Sequence, residues 1–364
     1  MVKLRTIIIL AVLAAVSTGL AVWSWRVSHA RLDVAGVGEP LIAGLAQKGK
    51  DAARIDIILD DGKDRITLVR KGGKWFAGKA GYPADVEKIR KFLVALVGMR
   101  KAEPKTRRKE NYGLLRLDEP GREGAKGTRV IIRDDKGAVI ADVILGKPVY
   151  DRLGAGKRSQ YARLTGEAQS WLVEGQARPV PALTRWVNHI AVDIPRDKVT
   201  AGKIVHADGE VLEVYATGKK GTDGEPIFAI RDKPQGAKEK PNYQIASVAR
   251  DLAQLDFELA RKAKAHKDKP IVHAEVTGAG GLVVGYDVYR EGKALWVAVK
   301  VIKAGKDKAL AERIEKTTAG WEYGLSESSG SYFLKRLKDV IEVEEDHAAK
   351  PPAPDGVSAG AGKP

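Results

Sequence analysis

The chain has 364 residues, with 63 Lys and Arg against 47 Asp and Glu, a formal charge of +16. Apolar residues make up 44% and charged residues 30%, enough for a core under a soluble surface, which excludes a mostly disordered chain, a collagen-like chain and a polytopic membrane protein. The absence of Cys excludes a disulfide scaffold, a Cys–zinc site, an iron–sulfur cluster and a thiol nucleophile.

Thr6–Trp25 is an uncharged apolar run, preceded by Lys3 and Arg5 and followed by Arg26. About 20 apolar residues in a helix span the hydrocarbon of a bilayer. The run predicts an uncleaved signal anchor over residues 1–26. Ile7, Leu10, Leu13 and Leu20 would lie in the lipid bilayer, and Trp23 and Trp25 at headgroup level. The alternative is a cleaved secretory peptide, because Ser28 and Ala30 put small residues at −3 and −1. The short head and the large following domain favour export of the residues after 30.

Residues 27–40 carry no clear period and form a linker. Arg54–Leu59, Arg65–Arg70 and Lys74–Ala77 then alternate apolar and polar residues, broken by Asp60-Asp61-Gly62 and Lys71-Gly72-Gly73, as strands joined by tight turns do. From Pro83 to Met99 the period changes. Val86, Ile89, Leu93, Leu96 and Val97 recur at helical steps, with Pro83 at a first helical position and Asp85 and Glu87 in the first turn. Strands resume at Thr128–Arg133, Ala138–Leu145, Ser159–Leu164 and Ser170–Val173, before a boundary near Ala177–Pro181. The same order recurs in the second half. Lys203–Ala207, Val211–Tyr215 and Pro226–Ile230 precede a helix carrying Ile245, Val248, Leu252, Leu255 and Leu259 on one face. Strands follow at Ile271–Thr277, Val283–Arg290 and Ala294–Ile302. The expected fold is therefore α+β: a transmembrane helix, then two tandem duplicated modules of antiparallel strands, each with one main helix, over 41–178 and 179–347. Residues 348–364 are rich in Pro, Ala and Gly and form a disordered tail.

Signatures of chemistry are sparse. Gly324-Leu325-Ser326-Glu327-Ser328 lacks the second glycine of a nucleophile elbow, and no phosphate-binding loop motif occurs. Gly278–Gly285 lies between two strands and reads as a hairpin turn. The six histidines show no metal-ligand spacing, and His206 and His273 are ordinary strand histidines. Asp134-Asp135 stands beside glycine and suits a turn. No catalytic residue, metal or cofactor is expected. Two basic clusters stand out, each after the helix of its module. One holds Arg100, Lys101, Lys105, Arg107, Arg108 and Lys109. The other holds Arg261, Lys262, Lys264, Lys267 and Lys269. Cations at a helix C-terminus favour its dipole, which explains them structurally. Functionally they suit anionic lipid headgroups, an acidic envelope polymer or an acidic partner. They lack interleaved aromatics and a recognised reader fold, which argues against nucleic acid.

Tyr82–Thr106, Asn111–Pro120 (NYGLLRLDEP), Tyr161–Gly175 (YARLTGEAQSWLVEG) and His189–Val199 carry a resemblance. In the order of these segments the chain resembles the bacterial domain-of-unknown-function family 4340 (DUF4340). The resemblance implies an envelope subunit accompanying a gliding-motility-type ABC exporter, next to its permease or a large periplasmic auxiliary subunit, and it carries no catalytic residues. The leading expectation is a non-enzymatic, membrane-anchored periplasmic accessory protein of an ABC-type export system. A binding module for anionic envelope material is the alternative, and an envelope hydrolase using a carboxylate pair is a third.

Overall fold

Side chains alternating across pleated strands, rather than helical periodicity, build most of the molecule. A computed structural model of the chain describes residues 14–24 and 36–342, except positions 60, 61, 63, 151 and 155. The chain divides into two compact units, Met1–His189 with Glu258–Lys262, and Ile190–Phe257 with Ala263–Pro364.

The first unit contains β1 (Arg54–Leu59), β2 (Asp64–Lys71), β3 (Lys74–Ala77), β4 (Tyr82–Pro83), helix α1 (Val86–Val97), β5 (Arg100–Pro104), β6 (Thr128–Arg133), β7 (Val139–Tyr150), β8 (Arg158–Leu164) and β9 (Ser170–Glu174). The strands form one antiparallel sheet in the order β4-β3-β2-β1-β6-β7-β8-β9-β5. The β2–β3 connection is the two-residue turn Gly72-Gly73, with φ of 54° and 76°, a geometry open to glycine and matched to strand twist. Ile55, Ile57, Leu68, Val130, Ile132 and Val143 are fully buried. A one-residue slip in β1 would expose its isoleucines, so burial fixes the register.

On the other side of these strands sit two carboxylates. Asp56 on β1 accepts from Arg54 Nε (2.8 Å) and Nη2 (2.9 Å), Thr67 Oγ1 (2.7 Å) and Arg133 Nη1 (3.0 Å). Asp142 on β7 accepts from Arg129 Nε (2.9 Å) and Nη2 (2.7 Å) and from Thr165 Oγ1 (2.8 Å). Burial pushes both carboxyls up, but these hydrogen bonds and the neighbouring guanidinium charges outweigh it and hold both below the usual carboxylate range.

The second unit contains β10 (Ile190–Asp193), β11 (Val199–His206), β12 (Val211–Lys220), β13 (Pro226–Ile230), β14 (Lys238–Glu239), α2 (Asn242–Leu252) and β15 (Gln254–Asp256). After β16 (Leu259–Lys262), which falls in the first unit, come β17 (Val272–Gly278), β18 (Leu282–Glu291), β19 (Ala294–Lys303), α3 (Lys308–Thr318), β20 (Trp321–Gly324), α4 (Glu327–Phe333) and β21 (Ile341–Glu342). Its main sheet runs β13-β12-β11-β17-β18-β19-β20. In each unit a three-stranded meander precedes a helix, and a later strand returns to pair with the meander's first strand: β6 on β1, β17 on β11. Helix α2 lies against β11 at one tight point. A Cβ on Gly202 would stand 2.5 Å from Ala249 Cα, so only glycine allows this approach. Tyr286 is fully buried, which pushes its phenol up and keeps it protonated, and its hydroxyl donates to Leu252 O at 2.6 Å.

These observations correct several expectations. The fold is mostly antiparallel sheet with few helices, not an α+β pair of modules with one main helix each. The second unit carries α2, an equally long α3 and the short α4. Helix α3 escaped notice because its buried side is narrow, only Leu310, Ala311, Ile314 and Thr318, within a charged segment. Pro83 belongs to β4, and Asp85 is the N-cap of α1, accepting from Glu87 N and Lys88 N. Helix α2 stops at Leu252; Leu255 pairs with Val192 across β15 and β10, and Leu259 is exposed on β16. The N-terminal transmembrane helix is also corrected. Residues 14–24 of the expected span are described and helical. Among the described residues no helix is long and apolar enough to cross a membrane. Leu20 and Trp23 lie exposed on it, while Ile7, Leu10, Leu13 and Trp25 fall outside the described residues, as do Asp60, Asp61 and the 348–364 tail.

Two outcomes follow. Gly202→Ala is expected to destabilise the second unit by about 1–3 kcal/mol through overpacking against α2, measured by urea unfolding. A carboxylate whose folded pKa is depressed contributes stability above its unfolded value and loses it as pH falls through the folded one. Asp56→Asn should therefore cost about 1–3 kcal/mol at pH 7, and the gap between wild type and variant should narrow below about pH 4. A gap that stays constant down to acid pH would refute this account of Asp56.

Candidate functional site

Between β5 and β6 the chain makes a long excursion over the sheet. Thr106 and Ser170 zip its start to β9: Ser170 Oγ donates to Thr106 O at 2.7 Å and accepts from Thr106 N at 3.0 Å. Arg107 Nε reaches Gln169 Oε1 at 2.6 Å. A single helical turn, Tyr112–Leu115, follows and ends at Arg116, held in the left-handed region (φ 56°). The excursion then lies directly on the strands. A Cβ on Gly127 would stand 2.1 Å from Asp118 O, and one on Gly146 2.3 Å from Leu115 O. Both positions are closed to any side chain.

Under this excursion lies Arg163. It occupies β8, opposite Ile144 on β7 and Ser170 on β9, and its side chain is 4% exposed. A buried guanidinium must find acceptors or destabilise the fold. Nη1 donates to Glu167 O (3.1 Å) and Nη2 to Glu119 Oε1 (3.2 Å), while the guanidinium carbon stands 4.4 Å from the Tyr112 ring centroid. Tyr112 is itself buried and donates its hydroxyl to Ala168 O at 2.7 Å. It packs with Leu117, Ile144, Tyr161 and Leu172. Nε of Arg163 is buried and has no hydrogen-bond partner among the described residues.

A cavity of about 330 Å³ opens beside this pair. Its lining carries three cations, Lys109, Arg122 and Arg163, and four carboxylates, Asp118, Glu119, Glu123 and Glu167. Gly124, Ala125, Gly166 and Ala168 complete the wall around Tyr112. The chemistry on offer is recognition of a group bearing both signs of charge over an aromatic floor. No nucleophile–base pair lines it.

The sequence-selected basic residues are distributed as follows. Arg100 and Lys101 lie on β5, where Lys101 pairs with Glu39 (3.4 Å) and sits 5.2 Å from the Trp171 ring centroid. Lys105 pairs with Glu103. Arg107, Arg108 and Lys109 are exposed in succession, and Lys109 reaches the cavity. Arg261 and Lys262 lie on β16. Lys264 pairs with Glu291 at 2.8 Å. Nearby, His266 Nε2 contacts the buried Glu322 at 2.7 Å and stacks on Tyr289 at 3.5 Å. His206 is buried against Lys335 O (2.9 Å), while His273 lies on the opposite face with Asp287 (2.7 Å) and Glu275 (3.3 Å), since Val205 rather than His206 is its cross-strand partner. Among the described residues no cluster of three His, Asp or Glu could hold a metal ion. Asp134 serves its hairpin, accepting from Lys136 N and Ala138 N.

Selecting by clustered charge overlooked Tyr112 and Arg163. The signal was present: an arginine inside the apolar stretch Tyr161–Leu164, and a tyrosine opening a short apolar run. The family model "Domain of unknown function (DUF4340)" matches residues 75–271, more than half of the chain, and the chain belongs to that family. The match includes Tyr112 and Arg163. No curated protein and no solved structure matches.

Replacing Arg163 by Leu should remove the tie between the excursion and β8. Amide exchange across 109–125 is expected to quicken, with β1–β3 unchanged, as read by hydrogen–deuterium exchange with mass spectrometry.

Proposed function

We propose that this member of the DUF4340 family is a non-enzymatic interaction subunit of an ABC-type export system at the bacterial envelope, acting in the periplasm. In this reading the cavity beside Arg163 receives a charged segment of a partner, the permease or a periplasmic auxiliary subunit. The family resemblance supports the setting, and the mixed-charge lining of the cavity carries the reading. A polyanion or a lipid headgroup would meet four carboxylates against three cations there, an unfavourable field. A protein segment presenting an acid and a base can answer both signs.

The test is co-purification in mild detergent with the permease and auxiliary subunit produced from the same cell. Wild type is expected to retain them. The double charge reversal Arg122→Glu, Glu123→Lys, at two exposed positions of the lining, should lower retention about tenfold, equivalent to 1.4 kcal/mol, at an unchanged unfolding midpoint. Failure of wild type to recover either subunit would remove the partner claim.

One observation favours a second reading, an anion-binding surface: the consecutive exposure of Arg107, Arg108 and Lys109. Neutralising Arg107, Arg108, Lys262 and Lys264 together should then abolish salt-sensitive binding to phosphatidylglycerol vesicles. Binding unaltered by the four changes would reject it.

A further inference from the structure

Helix α1 does not bury the whole apolar stripe that its sequence presents. Ile89, Phe92 and Leu96 are buried, and Phe92 meets Trp186 edge-on at 5.2 Å. The helix is held firmly. Asp85 caps it, Asp85 N donates to Trp186 O at 2.7 Å, and Lys88 Nζ donates to Val187 O at 2.7 Å. Yet Val86 and Val94 are 55% and 60% exposed, and Leu93 and Val97 beside them are half-buried. These residues form one wall of a groove of about 420 Å³. The opposite wall is Leu45, Gly49, Ala52 and Trp75.

The groove is apolar along its floor and basic at its rim, where Lys50, Arg70 and Arg90 stand; among the described residues lining it, none is acidic. The two arginines already have partners. Arg70 Nη1 donates to Lys50 O (3.1 Å), and Arg90 pairs with Glu87 (2.6 Å). They present a positive field but no convergent set of free donors, which a phosphate headgroup would require. Carboxylates flanking an apolar stripe need only that field. The ridge Val86, Arg90, Leu93, Val94, Val97 has helical spacing and suits interdigitation with side chains of a second helix.

We infer that the groove between α1 and the 45–52 segment is a docking site for an amphipathic helix of a partner protein, apolar on one face and flanked by acidic residues. This site is separate from the Arg163 cavity and does not depend on the function assigned there. Val86 and Val94, each more than half exposed, and the wall facing them leave one apolar strip uncovered along a capped helix.

The experiment uses the full chain and three probes. One is a fluorescent model helix with Leu at i, i+4 and i+7 flanked by Glu. The second is the same peptide with Lys for Glu, and the third is phosphatidylglycerol vesicles. Binding of the Glu peptide is expected, at least about tenfold tighter than the Lys peptide at low salt, and weakened about tenfold by Val94→Glu. Val94 is exposed, so that variant should keep the wild-type unfolding curve. A photoreactive phenylalanine analogue at Val94 should crosslink in cells to a polypeptide, the adduct mapping by mass to an acidic amphipathic segment. Equal binding of the two peptides, insensitivity to Val94→Glu, displacement of the peptide by vesicles, or a lipid adduct would each overturn the inference.

Discussion

The guanidinium of Arg163 sets the arrangement of the first unit's active-looking side. A cation placed mid-strand, between β7 and β9, with its side chain 4% exposed, must recruit oxygen from elsewhere in the chain. The chain supplies Glu119, the carbonyl of Glu167 and the face of Tyr112. To bring these over β8, the segment after β5 has to double back and lie flat on the sheet. That is possible only because Gly127 and Gly146 have no side chains in its way. One buried charge thus accounts for the loop's path, the two glycines and the cavity beside them.

Much of the strand layout was legible from alternation alone. Lys74–Ala77 and Pro226–Ile230 coincide with β3 and β13, and Arg54–Leu59 with β1, because each alternates or is bounded by turn residues. Helix α1 was legible from its period, though its start was misjudged: proline at 83 suits a first helical turn as well as a strand edge, and only the hydrogen bonds to Asp85 decide between them. Helix α3 was not legible, since a stripe of so few buried residues barely differs from a charged loop. Leu255 and Leu259 extended the period of α2 by coincidence; the chain leaves the helix at Ala253, and Leu255 is buried through β15 instead. The site was the least legible part. Charge density pointed to Arg107–Lys109, whereas Arg163, isolated among apolar neighbours, gains its significance only from strands and loops distant in sequence.

The two surfaces of the first unit differ in physical kind. Beside Arg163, side chains of both signs line one cavity, so selectivity there would come from geometry and hydrogen bonding. Along α1 the lining is aliphatic and the charge lies at the rim, so attraction would be steered over a Debye length and sealed by burial of apolar area. The charge pairs on β1 and β7, centred on Asp56 and Asp142, belong to neither surface. Their acids and bases satisfy one another, and they serve the sheet.

Strand β5 precedes β6 in sequence yet takes its place at the far edge of the sheet, beside β9. During synthesis Arg100–Pro104 leaves the ribosome about seventy residues ahead of Ser170–Glu174, the strand it needs. Until β6, β7, β8 and β9 have assembled in succession, that basic segment lacks its strand partner and has only residues 38–41 along its other edge, where Lys101 N donates to Glu39 O at 2.9 Å and Leu41 N to Met99 O at 2.9 Å. Closure of the first sheet is therefore a late, non-local event in folding. A nascent chain halted between β5 and β9 would hold a nearly complete meander and a cationic strand closed along one edge only, by residues 38–41.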